Sequence, residues 1–185
     1  LPILGYVPFF NFGEDISGGD IEKDNDEKVF YITVNDLLDI NKKELLKNIK
    51  FIFEETFRNI YTSIKFSKSD EDIKIINITS TIPEEGKSLC SLFLAMNIAQ
   101  ISKKVLIIDT DLRKPSLHKR LEVDNISGIS NYLVNSDSDW RKYVNFHPII
   151  KNLHYLTAGK IPPNSISLLE SEKMNDFIEE LRTTK

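Results

Sequence analysis

The sequence predicts an α/β fold with a doubly wound, mostly parallel sheet, on three observations. From Ile73 onward, strand-like apolar runs alternate with helical patterns. The first run leads into Gly86-Lys87-Ser88 at the start of a helix, and the second ends in the carboxylate pair Asp109 and Asp111. Strands separated by helices need right-handed crossovers, and these give parallel neighbours.

Residues 1–40 are expected to be an arm and flexible linker, and 41–185 the folded domain. Residues 1–10 are apolar, but Pro2, Gly5 and Pro8 break any helix. Residues 11–28 are acidic and glycine-containing, with almost no core-forming side chains. The stretch VFYITV within 29–40 fits a strand or an ordered connection equally well. Over 41–66, Leu45, Ile49, Phe53, Phe57, Ile60 and Ile64 make one apolar stripe at helical spacing. Asn41 is placed to cap that helix, with Glu44 three residues on. A strand is expected at 73–79, a helix at 87–102, and a second strand at 104–109, apolar enough to be buried on both faces. A third strand is expected at 153–159, and one or two short helices at 165–183.

The composition sets outer limits. With 185 residues, 41% hydrophobic and 28% charged, the chain suits one globular domain. A net charge of −4 and a pI near 5.5 provide no overall basic field, which argues against nucleic acid as the main partner. The single cysteine, Cys90, excludes an internal disulfide framework. No apolar run reaches the roughly 18–20 residues that a membrane-spanning helix needs. The chain begins without methionine, as a fragment or isolated domain would.

The segment from Ser80 to Ser88 follows a predicted strand and opens a predicted helix, the setting of a phosphate-binding loop. Successive backbone N–H groups and a helix N-terminus surround a polyphosphate with partial positive charge. Gly86 lets the backbone come close, Lys87 would reach the terminal phosphates, and the Ser88 hydroxyl would ligate Mg²⁺. Thr81 stands where the general pattern has its first glycine. Alone, such a segment can also be a helix start without a ligand.

Asp109 and Asp111 follow the second strand, and ligands of open parallel sheets bind at the carboxyl ends of strands. Carboxylates there can hold Mg²⁺ or accept a proton from an attacking hydroxyl. Arg113 can contact phosphate or pair with a carboxylate. The plainer alternative is that Asp109 caps the following helix and Asp111 is a loop residue. A phosphate loop one strand earlier tips the balance towards a site.

Taken together, these residues resemble the cytoplasmic domain of bacterial tyrosine kinases, the BY-kinases. The likeness covers nearly the whole chain. That family has a Walker A motif of the form S-x-x-P-x-E-G-K-S, which also lacks the first glycine, and a Walker A′ motif of the form I-D-x-D-x-R-x-P. Here these are Ser80 to Ser88 and Ile108 to Pro115. LPILGYVP is similar to the family's juxtamembrane sequence. Leu153 to Leu169, with Gly159, Pro163 and Asn164, is similar to another family stretch, with Ser165 in place of a proline.

The resemblance implies a P-loop NTPase fold of the deviant Walker A (MinD/ParA-like) type. It implies ATP with Mg²⁺ and transfer of the γ-phosphoryl group to tyrosine. Lys87, Asp109 and Asp111 would be catalytic. Pro83, Glu84, Glu85, Gly86, Lys87, Ser88, Leu89 and Arg113 would hold the nucleotide, and Ser88, Asp109 and Asp111 the metal. A transmembrane chain-length regulator of polysaccharide export would be the partner, at the cytoplasmic face of the bacterial inner membrane. The family also assembles into rings through an E-x-x-R-x-x-R motif. Glu55 and Arg58 match it, and Tyr61 replaces its second arginine. A monomeric or weakly associated chain is therefore expected in dilute solution. The Walker B strand and the tyrosine-rich tail of the family would lie beyond Lys185, so the domain is expected to be truncated before that strand.

Two rivals remain. A partition-type ATPase shares the fold but carries a lysine just after the loop's first residue, where this chain has Ile82. A degenerate interaction module would use the fold without turnover. His118, His147 and His154 lack metal-ligand spacing, and Cys90, Trp140 and Tyr61, Tyr132, Tyr143 and Tyr155 read as packing residues.

Overall fold

The computed structural model describes residues 44–67, 73–82, 85–101, 103–135 and 139–183. The arm at 1–40, the VFYITV stretch, the Asn41 cap, Pro83 and Glu84 lie outside the described residues. Helix α1 runs over Glu44–Phe66 and α2 over Lys87–Gln100, followed by strand β1 at Val105–Ile108. Two short helices come next, α3 at Leu117–Leu121 and α4 at Ile129–Val134. A 3₁₀ turn at Trp140–Tyr143 leads to β2 at Asn145–Phe146 and β3 at Leu153–Leu156. The described chain closes with α5 at Ser165–Leu169 and α6 at Glu172–Thr183. No helix among the described residues is long and apolar enough to cross a membrane.

The described sheet has three strands in the order β1-β3-β2. β1 and β3 are parallel, with Val105 opposite Leu153 and Ile108 opposite Leu156, while β2 is antiparallel to β3. Side chains alternate across a strand, and here each face meets a different core. Ile107, Leu153 and Tyr155 join Phe53 and Phe57 of α1, the buried face of α2, and Leu117 and Leu121 of α3. Leu156 joins Ile129, Tyr132 and Leu133 of α4, Trp140, and Met174 and Phe177 of α6 on the other face. Leu106 and Ile108 pack against that second core. The continuous apolar run of β1 follows from this double covering.

The stripe on α1 packs as its spacing requires: Phe53 and Phe57 are buried, and Ile60, Tyr61 and Ile64 rest against the same core. The Phe53 and Phe93 rings stack with centroids 4.5 Å apart, fixing α1 on α2. Tyr61 thus contributes packing where an arginine would place a charge. The chain beyond β3 is held by close backbone approach. Gly128 lies so near it that an added Cβ would sit 2.1 Å from the Thr157 carbonyl oxygen. The Ile129 and Ser130 N–H groups donate to the carbonyls of Thr157 and Ala158 at 2.8 and 3.0 Å.

One expectation needs correction. Residues 73–79 do not form a strand, and the described ladder contains only β1, β2 and β3. Ile78 rests against the first core, but Ile75 and Ile76 remain 40% and 37% exposed. A β-branched run favours a pleated, covered surface without supplying one. β1 is hydrogen-bonded to β3 and, among the described residues, to no strand on its other edge.

Candidate nucleotide site

The two predicted halves of the site meet in a cleft of about 330 Å³ between residues 77–79, the start of α2 and the loop after β1. Its walls include Lys87, Ser88, Asp109, Asp111 and Arg113, together with Ser165 of α5. These five are the residues in which the sequence reading placed the charge and metal chemistry.

Gly86 enters α2 at φ 82°, ψ 13°, a left-handed conformation that L side chains rarely adopt. The turn aims the first residues of the helix at the cleft. Glu85 folds the loop on itself, its Oε2 accepting from the N–H groups of Thr81 and Ile82 at 2.8 and 3.2 Å. Leu89 packs its side chain against the first core and anchors the base of the loop.

Lys87 reaches across the cleft, with Nζ 3.2 Å from Asp111 Oδ2. Asp111 Oδ1 also accepts from the N–H groups of Arg113 and Lys114 at 3.3 and 3.0 Å. Burial alone would raise the Asp111 pKa, but the Lys114 N–H, Lys87 and the Arg113 N–H together hold it below the ordinary carboxylate value. Asp109 is shifted the other way. Burial pushes its proton affinity up and the nearby Asp111 charge adds to that, against three backbone donors. Those donors are Asp111 N–H to Oδ1 at 3.1 Å, and Ser116 and Leu117 N–H to Oδ2 at 3.1 and 3.0 Å. Asp109 therefore caps α3, as the plainer alternative held, and lines the cleft as well. Two carboxylates two residues apart thus carry shifts of opposite sign.

The donors fit a hard divalent cation. Ser88 supplies a hydroxyl and Asp109 and Asp111 supply carboxylates, and among the described residues no group of three or more His, Cys, Asp or Glu gathers. Mg²⁺ is commonly held this way, by one or two carboxylates, waters and phosphate oxygens instead of an all-protein cage.

Ser116 went unnoticed in the sequence, and Ser165 was noted only as standing in place of a proline, with no role at the site. Ser116 donates from Oγ to Ser88 Oγ at 2.8 Å, joining the aspartate loop to α2. Its only local signal was a serine ahead of a short apolar pattern, which reads as a helix cap. Ser165 donates from Oγ to the Leu112 carbonyl at 3.4 Å and brings α5 over the cleft, a long-range contact without a local pattern. On α1, Glu55 and Arg58 make an exposed ion pair of 3.6 Å with each other.

No family model matches the chain. It is 39% identical over 128 residues to the tyrosine-protein kinase YwqD of Bacillus subtilis, covering 69% of this chain and 53% of YwqD. The chain thus spans about half the length of this curated relative. Among solved structures, the kinase domain of the Escherichia coli tyrosine kinase Etk matches with a TM-score of 0.64 at 33% identity, over 69% of this chain and 49% of that one. The VpsO kinase domain matches with a TM-score of 0.62 at 31% identity, over 76% of this chain and 68% of that one. With Lys87 and Ser88 of the first motif facing Asp109, Asp111 and Arg113 of the second in one cleft, and these similarities along most of its length, the chain belongs to the bacterial tyrosine-kinase family.

Proposed function

We propose that the chain binds ATP with Mg²⁺ in this cleft and, within a longer protein, transfers the γ-phosphoryl group to tyrosine hydroxyls of a neighbouring subunit. The observation that carries the reading is the convergence of Lys87 and Ser88 from α2 with Asp109 and Asp111 from the β1 loop. The fold would be the doubly wound, deviant Walker A form. Ser88, Asp109 and Asp111 would hold the cation, which when bound supplies positive charge against the phosphate oxygens.

In this reading the tyrosine oxygen attacks the γ-phosphorus, the bond to the bridging β–γ oxygen breaks, and ADP leaves. The tyrosine proton passes to a carboxylate, and Asp109, with its raised proton affinity, is the candidate acceptor. Lys87 exchanges its Asp111 partner for phosphate oxygens and offsets developing charge. Pro83, Glu84, Glu85, Gly86 and Leu89 would belong to the nucleotide-binding set, and Arg113, which lines the cleft, would contact the nucleotide.

The biological setting follows from the family resemblance. It would be regulation of exopolysaccharide or capsule chain length, at the cytoplasmic face of the inner membrane, beside a transmembrane chain-length regulator. Self-assembly would use the surface around Glu55 and Arg58. The test is calorimetry with Mg·ATP. Lys87→Met should abolish binding while circular dichroism stays unchanged, and unaltered affinity would refute the nucleotide site.

A further inference from the structure

Ser116 opens α3, where a serine ordinarily turns its oxygen to the first free N–H groups of the helix. Here its side chain makes no capping bond. Asp109 instead holds the start of the helix from outside, its Oδ2 taking the Ser116 and Leu117 N–H groups at 3.1 and 3.0 Å. The Ser116 hydroxyl makes its bond away from the helix, 2.8 Å from Ser88 Oγ, 28 residues away in sequence. Two hydroxyls at this distance share a single proton between them, and either can be the donor, because each carries one hydrogen and two lone pairs.

We propose that Ser116 is a positioning residue for Ser88, serving as the acceptor of the Ser88 proton when the Ser88 oxygen turns a lone pair to a cation. The inference rests on the nucleotide reading given above. A serine oxygen that ligates a cation must direct its hydrogen elsewhere. Rotation of the two hydroxyls reverses the existing bond with no movement of heavy atoms, so the Ser88 lone pairs are presented to the cleft. Ser116 is half-buried, so its own proton can turn to water. Because Asp109 fixes the Ser116 backbone, one carboxylate sets both the β1 loop and the partner of the α2 hydroxyl. This is the arrangement by which groups outside the ligand set tune a metal site.

The experiment titrates a fluorescent ADP analogue into the wild-type chain, Ser116→Ala and Ser116→Thr, each with Mg²⁺ and with EDTA. Ser116→Ala should lose roughly tenfold of the Mg²⁺-dependent gain in affinity, a loss typical of partners outside the ligand set. Its affinity in EDTA should be unchanged, and Ser116→Thr, which keeps the hydroxyl, should restore the gain. An unchanged Mg²⁺ dependence in Ser116→Ala would overturn the inference. So would an equal loss with and without Mg²⁺, or a threonine variant as weak as alanine, since both mark a merely structural role. Failure of the wild-type chain to bind the analogue would overturn the nucleotide reading first, and the inference with it, before any substitution is compared.

Discussion

Two apolar runs lead into the site, IKIINIT at 73–79 and VLII at 105–108, and their fates differ. The second is a strand bonded to β3, with Ile107 only 8% exposed and helices over both faces. The first has no place in the described ladder and leaves Ile75 and Ile76 more than a third exposed. The runs are alike in β-branched content, so intrinsic preference does not separate them. Pairing and covering do. The site is accordingly built unequally: its aspartate half stands on a packed strand, and its phosphate-loop half is anchored chiefly through α2.

The largest effect should come from the covered run. Ile107→Ala removes a buried side chain from the core that β1 shares with α2 and β3, and should lower stability by about 2–5 kcal/mol. Urea unfolding followed by circular dichroism measures it. A loss within about 0.5 kcal/mol, the range of ordinary surface changes, would mean that β1 is not the packed member of the pair.

This inequality was not legible, since both runs read as strands, but much of the rest was, and the limits are physical. The apolar stripe of α1 and the doubly apolar β1 follow from periodicity, because long elements repeat their signal. That Lys87 and Ser88 would share a cleft with Asp109 and Asp111 was legible because loop, strand and helix followed one another in the order such a cleft needs. The short elements α3, α4 and β2 were missed, since five, six and two residues complete too little of a period to be seen. The strand at 73–79 was overcalled for the opposite reason. Its local pattern suits a buried strand, but a ladder partner is a long-range fact. The roles of Ser116 and Ser165 are of that kind too, each being fixed by a residue 28 or 53 positions away.

A smaller effect concerns the two aspartates that follow β1, and its sign differs between them. The folded pKa of Asp111 lies below its ordinary value of 3.8, so its stabilising contribution is present above that value and is lost as pH falls through the folded pKa. The folded pKa of Asp109 lies above 3.8, so the fold holds that proton more tightly. Its ionisation weakens folding as pH rises from the unfolded value through the folded one. Carbon-13 titration of the side-chain carboxyls should find Asp111 below 3.8 and Asp109 above it. Lys87→Met should move Asp111 upward, because the Lys87 ion pair is among the causes of its depression. Coincident midpoints, or the reverse order, would contradict the division of roles at the site.

The smallest effect should come from the uncovered run, and it sharpens the comparison most. Ile75 is the same residue type as Ile107 and sits in an equally apolar sequence, but at 40% exposure it retains much of its contact with water. Truncation of such a side chain forfeits little buried area and leaves no enclosed cavity, so Ile75→Ala should cost within about 0.5 kcal/mol. The same urea titration used for Ile107→Ala measures it, which holds the chemistry of the substitution constant and varies only the surroundings. A loss comparable to that of Ile107→Ala would show that the 73–79 run is covered in solution. The inequality between the two halves of the site would then disappear, and the phosphate loop would stand on a strand as firmly held as β1.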